Sequence, residues 1–67
     1  MPSAQHSKAL LITDADKHAA ALREVRMRRR VYPGWISKGR MTQVEAEREI
    51  AVMEAIAEDY APRGLFD

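Results

Sequence analysis

Sixty-seven residues with no cysteine, 46% hydrophobic content and a formal net charge of +1 describe one small domain that has neither a disulfide framework nor a thiolate metal site. That near-zero charge gives no overall steering toward a polyanion, and so short a chain buries a small share of its surface, which makes self-association or a partner the expected source of further stability. No stretch approaches the roughly 20 apolar residues of a membrane span, and MPSAQHSKALLITD holds only Leu10, Leu11 and Ile12 as a large-apolar run, so no secretory signal is read and a cytoplasmic protein is expected.

In chain order, residues 1–8 read as a flexible tail. Thr13 with Asp16 forms a capping box, and Asp14 and Asp16 suit the positive end of a helix dipole. The first helix is therefore predicted over about 14–32. Its inward stripe is Ala15, His18 or Ala19, Leu22, Val25, Arg29 and Tyr32. Leu11 fits the same register, so a start near Ser7 stays open; with a start at Thr13, Leu10–Ile12 form an extended arm that packs on the hairpin or pairs with a neighbouring chain. Pro33 ends or kinks this helix, and Trp35 to Lys38 add a turn that Gly39 closes.

Thr42 with Glu45 is a second capping box, with Met41 and Ala46 placed as a hydrophobic staple. Ala46, Ile50, Met53, Ala57 and Tyr60 then recur at spacings of four and three, the apolar stripe of an amphipathic helix over 43–60, and Val52 and Ile56 widen it. Pro62 and Gly64 stop it. Residues 62–67 read as a second tail, with Leu65 and Phe66 folding back as the alternative. The fold class is all-α: a kinked antiparallel helical hairpin, one domain over 1–67, completed by self-association.

Charge is segregated along the chain. Seven cations lie between Arg23 and Arg40 against Glu24 alone, and six acids between Met41 and Tyr60 against Arg48 alone. Folding evenly about Arg40 and Met41 brings Arg29 level with Val52, Val25 with Ile56 and Leu22 with Tyr60. The arginines then face Glu45, Glu47 and Glu49, which orients the hairpin more than it stabilises it.

Arg26, Arg28, Arg29, Arg30, Lys38 and Arg40, beside Tyr32 and Trp35, are the candidate contacts for a partner or for nucleic acid, since guanidinium groups grip phosphate and aromatic rings stack on bases. An acidic second helix rules out a helix-turn-helix reader. Tyr32 and Trp35 are read first as core at the wide end of the hairpin and second as interface anchors. Leu22, Val25, Ile50, Met53, Ala57 and Tyr60 are the candidate dimer core. His6 and His18 have no clustered carboxylate to make a metal site, no phosphate loop or nucleophile elbow is present, and neither a cofactor nor catalysis is expected.

The segments Arg28–Pro33, Gly39–Thr42 and Glu45–Ile56 (RRRVYP, GRMT and EAEREIAVMEAI) resemble short, mostly uncharacterised helical proteins encoded in bacteriophages and prophages. These segments lie within the stretch from Met27 to Tyr60, about half the chain, and the resemblance implies a phage context, with no activity and no site residues attached. Gly34 stands where a larger, often basic residue is expected. Three functions follow: a homodimeric protein-interaction module, a nonspecific nucleic-acid-binding accessory of phage DNA metabolism, or an inhibitor of a host defence or regulatory protein anchored by Trp35 and Tyr32.

Overall fold

The computed structural model describes residues 10–63, and the reading of Leu65 and Phe66 lies outside them. Two helices make up the described fold: α1 spans Asp14–Ser37 and α2 spans Gln43–Asp59, packed side by side as an antiparallel hairpin. Both begin at the predicted threonines. The Thr13 hydroxyl accepts from the Asp16 amide at 3.1 Å while the Thr13 amide donates to the Asp16 carboxylate at 3.0 Å. Thr42 and Glu45 repeat the arrangement at 3.0 and 2.9 Å. The start near Ser7 is thereby set aside, because the box fixes Thr13 as the cap.

The amide of Thr13, helped by its hydroxyl, holds the Asp16 carboxyl below its ordinary value of 3.8. A lowered folded value means that the carboxylate's contribution is complete above the unfolded value and is lost as the pH falls through the folded one. NMR titration of the Asp16 carboxyl carbon is expected to give a midpoint under 3.8. A midpoint at or above that value would mean the box is open in solution.

α1 carries the additional turn expected beyond Tyr32. It passes through Pro33 and stops at Ser37, where the Gly39 amide bonds the Ile36 carbonyl at 3.0 Å and the Arg40 amide bonds the Trp35 carbonyl at 2.9 Å. This pair of reversed bonds is a Schellman cap, and it needs a left-handed residue at Gly39, whose φ is 75°. The cap turns the chain back beside the last turn of α1, so the connection Lys38–Thr42 adds little separation before α2 begins.

The turn-back changes the register. Lys17, where Leu22 was expected, carries its ammonium 5.0 Å from the centre of the Tyr60 ring. The His18 ring reaches the Ala57 carbonyl, and Arg28 reaches the carbonyl of Glu49. These contacts shift α2 toward the N-terminal end of α1 and leave the last turn of α1 overhanging.

The contact face of α2 is the predicted one: Ala46 and Ala57 are buried, and Ile50, Met53 and Tyr60 are half-buried. The face of α1 is rotated from prediction. His18, Ala21, Val25, Arg28 and Tyr32 point inward, while Ala15, Ala19 and Arg29 are exposed and Leu22 is half-buried at the edge. Ala21, Ala46 and Ala57 are each only 3% exposed. Small side chains at these positions let the helix backbones approach closely, but they contribute little apolar area. No large side chain in the described core is fully buried.

Leu10, Leu11 and Ile12 lead into α1 without regular structure and are 59%, 82% and 60% exposed. The arm therefore does not pack on its own hairpin, which removes one of its two expected roles.

Candidate functional site

The C-terminal half of α1 carries most of the candidate site residues, and helix periodicity sorts them onto three faces. Arg28 shares the inward stripe with Val25 and Tyr32. Arg29 lies one step around, at the rim. Arg26 and Arg30, with Arg23, recur at spacings of three and four on the face turned away from α2.

Arg28 works as a cross-link. Its Nε donates to Glu24 Oε1 at 2.9 Å one turn back, its Nη1 donates to the Glu49 backbone carbonyl at 2.9 Å, and Glu49 Oε1 lies 3.5 Å away. Its side chain is only 19% exposed. The Glu24 bond is the main reason the guanidinium is held protonated more firmly than usual. Arg29 pairs with Glu54 across the opposite rim, where both groups are well exposed and the pair contributes at most about 1 kcal/mol.

The expected partners were Glu45, Glu47 and Glu49, and of these only Glu49 meets an arginine. Glu45 is turned back to cap its own helix, and Glu47 accepts from Gln43 at 3.1 Å. A carboxylate at the third helical position behind a threonine cap is already engaged locally, so the acids left for cross-helix pairing sit further along α2.

Arg23, Arg26, Arg30, Lys38 and Arg40 are exposed, and none has a carboxylate within ion-pair distance among the described residues. The arginine run is therefore split between two that hold the hairpin and three that face solvent, with Lys38 and Arg40 at the loop end.

The two aromatic residues part company in the same way. Tyr32 is 7% exposed and belongs to the core as expected, whereas Trp35 is 42% exposed, a correction that follows from the overhanging last turn. Their ring centres are 5.4 Å apart at 35°, so Tyr32 holds the inner face of the indole while its outer face stays open.

Of the candidate dimer core, Val25 and Ala57 are buried in the hairpin's own interface; Leu22, Ile50, Met53 and Tyr60 are partly covered by it. The exposed large apolar side chains on the helices are instead Val44, at 74% on the outer face of α2, and Trp35, Val52 and Ile56, at 42%, 41% and 37%. Trp35, Val52 and Ile56 share one side of the hairpin, because residues 28, 31 and 35 of α1 and residues 49, 52, 53 and 56 of α2 fall on adjacent helical positions there. Arg28 with Glu24 and Glu49 crosses this strip.

The structure also gives His18 a role that the sequence did not reveal. Its Nδ1 lies 2.7 Å from the Ala57 carbonyl and donates to it, satisfying an acceptor in the last turn of α2. The only sequence signal was that His18 competed with Ala19 for a place in the stripe. Among the described residues, no group of three histidine, aspartate or glutamate side chains is placed to hold a metal ion, and no helix is long and apolar enough to cross a membrane.

No family model, curated protein or solved structure matches the chain.

Proposed function

We propose that the protein is a small non-enzymatic interaction module that works as a homodimer, two hairpins closing a four-helix bundle through the side that carries Trp35, Val52 and Ile56. One observation carries this reading. Three large apolar side chains stand exposed on one side of a hairpin whose own core is three alanines, a valine and a tyrosine. Exposed large apolar side chains on one side offer the additional buried area that a chain of this size needs, with the Arg28–Glu24–Glu49 cross-link lying between Trp35 and the Val52–Ile56 pair.

The half-buried Met53 and Tyr60 border the same side and are covered further in such a bundle, whereas Leu22 and Ile50 lie toward the rim of Arg29 and Glu54. The phage-encoded proteins that the chain resembles suggest the setting, a phage or prophage product acting in the host cytoplasm. The exposed Leu10–Ile12 arm supplies a second apolar element for the partner chain to cover.

Light scattering with size-exclusion chromatography at micromolar concentration is expected to give twice the 7.6 kDa chain mass. Trp35→Ala, Val52→Ser and Ile56→Ser combined are expected to return it to one chain mass. A monomeric wild type that melts cooperatively would sink the dimer. In that case a host or phage protein docking on Trp35, as in an inhibitor of host defence, becomes the reading to pursue by affinity capture.

A further inference from the structure

We infer that the outer face of α1 is a phosphate-binding stripe, in which Arg23, Arg26 and Arg30 lie along one strand of a nucleic-acid duplex and Lys38 and Arg40 extend the contact at the loop end. The inference is independent of the dimer, whose face is on another side of the hairpin. It also differs from the grouping suggested by the sequence, because Arg28 and Arg29 are withdrawn into contacts with Glu24, Glu49 and Glu54.

The sorting of charge carries the argument. Three guanidinium groups recur at spacings of three and four, about 4.5 and 6 Å apart along the axis at a rise of about 1.5 Å per residue. No carboxylate among the described residues pairs with any of them. The acids of α2 lie across the helix pair, with axes about 8–10 Å apart. The outer face of α1 is farther from those acids than the axes are from each other, beyond the Debye length of about 10 Å at 0.1 M, so ordinary salt screens their repulsion. A net charge of +1 therefore conceals a cationic stretch of this face from Arg23 to Arg30, two turns beyond the exposed Asp16.

The same face selects the ligand. Arginine binds phosphate oxygens through paired N–H donors, and a regular row of them suits a regular row of phosphates. No aromatic ring interrupts the row: Tyr32 is buried, and Trp35 stands on the side with Arg28. Without a stacking platform the stripe has nothing to hold the splayed bases of a single strand, so the denser charge of a duplex is the better partner. Contact is to the backbone and carries no sequence preference.

The test is fluorescence anisotropy of the full chain with a labelled random-sequence duplex DNA, titrated from low to moderate salt. Three to five phosphate contacts predict a log–log salt slope of about −2.7 to −4.5 and a dissociation constant on the order of 10⁻⁴ M or tighter at low salt. Arg23→Gln, Arg26→Gln and Arg30→Gln together should flatten the slope by about 2.7, while the three lysine replacements should leave it nearly unchanged. Circular dichroism of each variant checks that the hairpin persists, as expected for exposed positions. An unchanged slope in the glutamine variant overturns the inference. So does tighter binding of a single strand of equal length, or binding of polyglutamate with none of duplex, which would make the partner an acidic protein.

Discussion

Pro33→Ala is expected to stabilise the hairpin by about 2–3 kcal/mol, because proline in a helix interior costs about 3 kcal/mol relative to alanine. Pro33 lies inside α1, four residues from its end, and is exposed, so the replacement removes no buried contact. It supplies an amide to donate to the Arg29 carbonyl and relieves the crowding of the ring against that same group. For a domain of this size, 1 kcal/mol shifts the melting midpoint by roughly 4–8 °C, so a rise of about 8 °C or more is expected in a thermal melt. A midpoint that stays or falls would show that the ring is held by contacts outside the described residues, or that the helix does not continue through Pro33 in solution. The position is then one where stability has been given up, and the overhanging turn that follows, with Trp35, is the feature it qualifies.

Tyr32→Ala is expected to act in the other direction and more strongly. Tyr32 is the largest buried side chain in a five-residue core and also supports the inner face of Trp35. Truncating a buried aromatic residue costs about 3–5 kcal/mol, a large part of the whole stability of a domain this small. Urea unfolding followed by circular dichroism should therefore find the variant largely unfolded without denaturant, or with a midpoint near zero. Tyr32→Phe keeps the ring and is expected to stay folded. If the alanine variant unfolds with a midpoint near that of the wild type, the hairpin is held together mainly from outside, by the partner chain, and Tyr32 is not its keystone.

The two predictions together bear on the functional face. Trp35 is positioned from below by Tyr32 and from behind by a helix turn that follows a proline. Losing the first should release the indole and the fold together. Strengthening the second should hold the indole more firmly while leaving the apolar side of Val52 and Ile56 unchanged, so oligomer mass and melting midpoint need not move in step.

The split among the arginines shows how far a linear reading reaches. Charge segregation along the chain indicates that arginines and glutamates meet, and they do, but the particular pairs depend on quantities that spacing does not contain. Arg28 is interior because it alone combines an i−4 acid, Glu24, with reach to the backbone of α2 at Glu49. Arg26 and Arg30 are left outside by a rotation of less than one residue step relative to a stripe through Leu22 and Arg29. That rotation follows from Ala21, a small residue that admits close helix packing where leucine would hold the helices apart.

Local chemistry alone determined both helix starts, the Gly39 stop and the packing face of α2. Capping boxes, a left-handed glycine and a three-four apolar repeat act within a few residues of themselves and need no distant partner. The register, the rotation of α1, the exposure of Trp35 and the division of the arginines were decided only by the tertiary structure. Each depends on where the Schellman reversal delivers the second helix, and the depth of that return is set by side-chain volume and reach across the interface rather than by any pattern along the chain.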